Sequence, residues 1–107
     1  MTITAHSGSF DTEDNSMENI RKVLDENCEI MEMDVTFRPD NTPVIIHKSA
    51  PSEEEGILLE DVFTFVAGHQ NKNILLNLDL KSLNNLSQVD YLLEENNLKE
   101  RAFFRCI

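Results

Sequence analysis

Four short apolar runs, each closing on polar residues that alternate onto one face, constrain this chain more than any other feature. They occupy residues 2–6, 30–37, 44–47 and 74–81. A strand sends successive side chains to opposite faces. Glu32 and Asp34 therefore share a face, opposite Met31, Met33 and Val35. Asn77, Asp79 and Lys81 share a face, opposite Leu76, Leu78 and Leu80. An apolar back and a polar front suit strands whose back packs on helices and whose front lines a site. A fifth run, residues 102–107, ends the chain.

Helical patterns fill the intervals. Asn15 is placed as an N-cap with Glu18 in the capping position, and Met17, Ile20 and Leu24 form a stripe that ends near Asn27. Leu59, Val62, Phe63 and Val66 predict a second helix stopped by Gly68. Leu86, Val89, Leu92 and Leu93 predict a third, ending near Asn96 or Asn97. Residues 38–43 are a turn, and the Glu53–Glu55 run reads as a solvated loop. His69, beyond a helix end, reads as surface.

Strands alternating with helices of about ten residues indicate a parallel α/β architecture. One joint resists this, because parallel neighbours need a crossover of a dozen or more residues and the segment between Phe37 and Val44 is far shorter. Either those strands form a hairpin, or one crossover lacks its helix. An apolar last strand with nothing to cover it is an aggregation liability. The 107 residues therefore read as one incomplete domain, the N-terminal part of something longer. A (β/α)8 barrel takes ~250 residues, and about its first five strands would be present.

Charge narrows the partners. With 20 acidic against 9 basic residues the net charge is −11, which argues against nucleic acid or an anionic membrane surface. An anionic substrate would need a cation between it and the protein. No apolar stretch approaches the ~20 residues of a membrane span. The N-terminus lacks a basic segment followed by an apolar one. Cys28 and Cys106 lack metal-ligand spacing and read as reduced thiols. The expectation is a cytoplasmic protein.

The polar front has the parts of a metal-assisted acid/base site. Same-face neighbours on a strand lie roughly 6.5–7 Å apart, so Glu32 and Asp34 can reach one hard, oxygen-loving cation such as Mg2+ or Ca2+. Asp79 could supply a third carboxylate. An E-x-D pair alone also describes two solvated acids on an edge strand, but Asp79 repeats the pattern on another strand, where facing like charges are costly. His6 and His47 sit at strand C-terminal ends, where active sites of parallel α/β folds gather. Imidazole titrates near neutrality, so one can give a proton while the other takes one. Lys81 extends the face past Asp79 and could neutralise a phosphoryl group. Asn15 stands on the first strand-to-helix loop, where it could also orient the site.

The spacing resembles that of the glycerophosphodiester phosphodiesterases over essentially the whole chain. The stretches that carry the likeness are Ile3-Thr-Ala-His-Ser-Gly8, Asp14-Asn-Ser16, Ile30-Met-Glu-Met-Asp-Val35, Asp40-Asn-Thr-Pro-Val-Ile-Ile-His47 and Leu78-Asp-Leu-Lys81. The resemblance implies a (β/α)8 barrel with metal ligands Glu32, Asp34 and Asp79, the acid/base pair His6 and His47, and a phosphate contact at Lys81. It implies a divalent cation and a small-molecule glycerophosphodiester, cleaved to glycerol 3-phosphate and an alcohol. It also implies that the second strand runs into the third without a full helix. Four residues depart from the family pattern. Ser7 replaces an arginine, Asp14 and Asp79 replace glutamates, and Lys48 replaces an aspartate. Lys48 could remove a hydrogen-bond partner, or supply the positive charge lost at Ser7. The alternatives are a related phospholipase acting on a larger lipid headgroup, and a non-catalytic barrel relative that acts by binding.

Overall fold

The computed structural model describes residues 4–5, 15–48 and 50–106. Its elements run β1 (Thr4–Ala5), α1 (Met17–Asp25), β2 (Ile30–Phe37), β3 (Pro43–Ile45), β4 (Ile57–Leu58), α2 (Leu59–Gly68), β5 (Leu75–Leu80), α3 (Leu86–Glu95), a 3-10 turn (Lys99–Arg101) and β6 (Ala102–Cys106). The described strands form one sheet in the order β4-β3-β2-β5-β6, with β1 also paired to β2.

β1, β2, β5 and β6 run parallel, joined through α1, α2 and α3. This is the strand–helix alternation of a (β/α)8 barrel, present here as its N-terminal part. β3 departs from that pattern. It pairs antiparallel with β2, Val35 facing Ile45 and Phe37 facing Pro43, so the short joint is a hairpin. β4, which the sequence pattern did not reveal, adds antiparallel to β3. The hairpin pair β3–β4 is thus a side arm, and four of the strands have the barrel direction.

The apolar back is as the alternation requires. Met31, Met33 and Val35 of β2 and Leu76, Leu78 and Leu80 of β5 are buried against Ile20, Leu24, Phe63, Val66, Val89 and Leu93 of the helices. The helices begin and end for local reasons. Ser16, not Asn15, caps α1, its Oγ accepting the Asn19 N–H at 3.1 Å. Asn19 therefore holds the third helical position expected of Glu18. Asn27 and Asn97, just past α1 and α3, adopt φ of 56° and 57°. Asparagine tolerates this left-handed region better than other side-chain-bearing residues.

The side arm is pinned at its far end. Arg38 donates from Nε to the Glu55 carbonyl and from Nη2 to the Gly56 carbonyl. Gly56 has φ +84°, and a Cβ there would lie 2.9 Å from Val44. Glu55 is held too, accepting from Lys48 Nζ at 2.8 Å and from the Ser52 N–H at 2.9 Å. These contacts, the Lys48 hydrogen bond first, lower its carboxyl to about 2. Of the expected solvated run only Glu53 and Glu54 are exposed, and Glu55 is half-buried. His69 is likewise not simply surface. Its side chain is 19% exposed and lies 2.8 Å from Asp25 Oδ1, joining the end of α2 to that of α1. At the other edge of the sheet, Phe103 and Phe104 of β6 are 43% and 41% exposed. No described helix is long and apolar enough to cross a membrane.

Candidate functional site

The polar front gathers around Asp34. Backbone pairing brings its neighbours there: the Ile46 N–H donates to the Asp34 carbonyl at 3.1 Å, and the Lys81 N–H to the Val35 carbonyl at 2.9 Å. His47 and Lys81 therefore emerge beside Asp34, at the C-terminal end of the parallel β2–β5 pairing. His47 Nδ1 lies 3.1 Å from Asp34 Oδ2, and Lys81 Nζ lies 3.4 Å from Oδ1. Asn15 closes the group from the loop before α1. Its Nδ2 donates to Asp34 Oδ2 at 3.0 Å and its Oδ1 accepts the Asp34 N–H at 3.1 Å. Asn15 takes φ 48° to do so. Its carboxamide is engaged here, which is why Ser16 caps the helix.

Sheet register extends the site sideways. Glu32 pairs with Asn77 and then Phe103, and Asp34 pairs with Asp79 and then Arg105. These side chains share the face opposite the helices. Burial pushes the Asp34 carboxyl up, but hydrogen bonds from Asn15 and His47 and the charge of Lys81 outweigh it, so the net shift is downward. Asp79 moves the other way. Burial and the nearby Glu32 charge raise it, with Asp34 adding and Arg105 and Lys81 opposing. Asp79 is 7% exposed, and its Oδ1 and the Asn77 Oδ1 find no hydrogen-bond partner among the described residues.

The donors suit a hard cation in type, since they are all oxygens: the carboxylates of Glu32, Asp34 and Asp79 and the Asn77 carbonyl. The two orphaned acceptors are where a cation or donor is wanted. Both Asp34 oxygens, however, are already engaged by Asn15, His47 and Lys81. Among the described residues no three His, Cys, Asp or Glu side chains are grouped closely enough to hold a metal ion.

Of the residues expected from sequence, the structure brings together Asn15, Asp34, His47 and Lys81, with Asp79 alongside. His6, with Ser7 and Asp14, lies outside the described residues. Lys48 turns to Glu55, so it does not supply charge to the front. The sequence reading missed Arg105. Alternation along residues 102–106 puts Phe103 and Arg105 on one face, but only the register with β5 shows that this face is the polar one.

The fold and the site together define half of a (β/α)8 barrel with an acid-rich strand-end site. Solved structures with this fold include a glycerophosphodiester phosphodiesterase from Parabacteroides distasonis, 19% identical with a TM-score of 0.78 over 98% of this chain and 56% of that one. A second, from Agrobacterium tumefaciens, is 13% identical with a TM-score of 0.79 over 100% of this chain and 58% of that one. At these identities the likeness is one of fold, and the chain spans just over half the length of either. No family model matches the chain, and no curated protein matches it in sequence.

Proposed function

We propose that the chain forms the N-terminal half of a phosphodiester hydrolase site that cleaves glycerophosphodiesters to glycerol 3-phosphate and an alcohol. The observation that carries this reading is the convergence of Asn15, His47 and Lys81 on Asp34 at the strand ends. With Nδ1 as the donor to Asp34, this contact fixes the orientation and tautomer of the ring. The His47 side chain is 73% exposed, so Nε2 is free to give a proton to, or take one from, a substrate oxygen. In this reading His6 is the opposite member of the acid/base pair. Glu32, Asp34 and Asp79 would hold Mg2+ or Ca2+, which supplies charge neutralisation and polarises a phosphoryl oxygen. Lys81 is the phosphate contact. The buried free thiol of Cys28 suits the reducing cytoplasm.

The test is hydrolysis of glycerophosphocholine with Mg2+ or Ca2+ by the protein expressed from its complete reading frame, beside His47→Ala. General acid/base catalysis contributes about 10²–10⁴-fold, and a loss of that size is expected. Turnover unchanged in His47→Ala, or none in a folded wild type, would remove the reading.

A further inference from the structure

We infer that Arg105 is the anion-receiving cation of this site, its guanidinium on β6 taking two phosphoryl oxygens of a ligand that lies across the front of Asp79. The inference rests on the phosphodiesterase reading and adds a specific residue to it.

Positive charge is scarce at the polar front. No lysine or arginine precedes Arg21 in the sequence, so the first strand and its loop offer no permanent cation. The remaining basic side chains are largely engaged away from the front. Lys22 pairs with Glu26, Lys48 with Glu55, and Lys99 with Asp90 and Glu94. Arg38 and Arg101 donate to backbone carbonyls, and Lys72 donates to the Ala67 carbonyl. Arg21 belongs to α1, in the helical layer. Lys81 does reach the front, but it sits against Asp34 and its side chain is 15% exposed.

Arg105 is placed differently. Register sets it opposite Asp79 on the polar face, and it is exposed. It makes no ion pair or side-chain hydrogen bond among the described residues. It is close enough to Asp79 to oppose the rise of that carboxyl, yet the Asp79 Oδ1 remains without a hydrogen-bond partner. The guanidinium is therefore not seated on Asp79 as Lys81 is on Asp34. A phosphodiester approaching Glu32, Asp34 and Asp79 meets three carboxylates, and an arginine fork matches paired phosphoryl oxygens better than an ammonium does.

The test is titration of inorganic phosphate and of glycerol 3-phosphate, with and without Mg2+, followed by calorimetry. Wild type is compared with Arg105→Ala, Arg105→Gln and Arg105→Lys, each checked for folding by circular dichroism. We expect affinity about 10- to 100-fold weaker in the Ala and Gln variants and partly retained in the Lys variant. In turnover the loss should fall on KM more than on kcat. Wild type that binds neither ligand, or folded Ala and Gln variants that bind as wild type does, would overturn the inference. Arg105-dependent binding without glycerophosphodiester hydrolysis keeps the anion site and removes the enzymatic reading. Hydrolysis with a KM indifferent to Arg105 keeps that reading and removes this assignment.

Discussion

Asn15 and Asp34 hold each other through two hydrogen bonds, one to the carboxylate at 3.0 Å and one from the Asp34 backbone N–H at 3.1 Å. The pair joins the loop before α1 to the middle of the sheet, and both residues are buried. A single carboxamide thus satisfies a strand N–H and helps keep Asp34 charged, so that it can orient His47.

Replacing Asn15 should expose this dependence. Asn15→Ala leaves a buried N–H without its partner, which costs about 1–3 kcal/mol. Alanine must also hold the left-handed φ of 48°, which glycine adopts without a Cβ penalty. Urea denaturation is expected to rank wild type above Gly and Gly above Ala. A loss below about 0.5 kcal/mol, no more than a typical surface change, would show that the pair does not support the fold.

Asp34 and Asp79 should respond to pH with opposite signs. The folded value of Asp34 lies below its ordinary 3.8, so its contribution is present above that value and is lost as acid protonates it. The folded value of Asp79 lies above 3.8. Its contribution is present below that value and disappears as pH rises through the folded one, so the neutral-pH carboxylate opposes folding. Asp79→Asn is therefore expected to raise the denaturation midpoint at pH 7, with the gain fading toward pH 3, while abolishing hydrolysis. A lower midpoint than wild type at pH 7 contradicts this.

A divalent cation should relieve the same repulsion. At ten times its Kd, a ligand that binds only the folded state adds about 1.4 kcal/mol. In a domain near 100 residues that raises Tm by about 5–11 °C. Thermal melts with Mg2+ or Ca2+ should show the rise in wild type and lose it in Asp79→Asn and Glu32→Gln. Chelator should reverse it. A wild-type Tm insensitive to both ions counts against the proposed cation.

The side arm rests on Gly56. A methyl group there would meet the Val44 side chain at 2.9 Å and the Ile45 carbonyl at 3.2 Å, in a residue held at φ +84°. Strain and crowding of this kind cost about 1–3 kcal/mol each. Gly56→Ala should therefore lower Tm by about 10 °C or more and loosen the loop that Arg38 anchors. Hydrogen exchange at the Ile45 and Ile57 amides reads the local effect, and unchanged protection would show that β3–β4 accommodates the methyl.

What the sequence determined by itself was periodicity. Glu32 with Asp34, and Asn77 with Asp79, had to share a face because side chains alternate along any strand. The Leu59, Val62, Phe63 and Val66 stripe had to be one side of a helix because 3.6 residues make a turn. These are properties of a single segment, and they show in that segment alone. Pairing is different, since it depends on contacts between segments far apart in the chain. The tertiary structure decided that β3 folds back as a hairpin, that Asn15 serves Asp34 rather than the helix, and that Lys48 turns to Glu55. It also set Asp34, Asp79 and Arg105 in one row across β2, β5 and β6. That row exists because burying the leucines and methionines behind it selects a single register, and a slip of one residue would turn every one of those side chains to the other face.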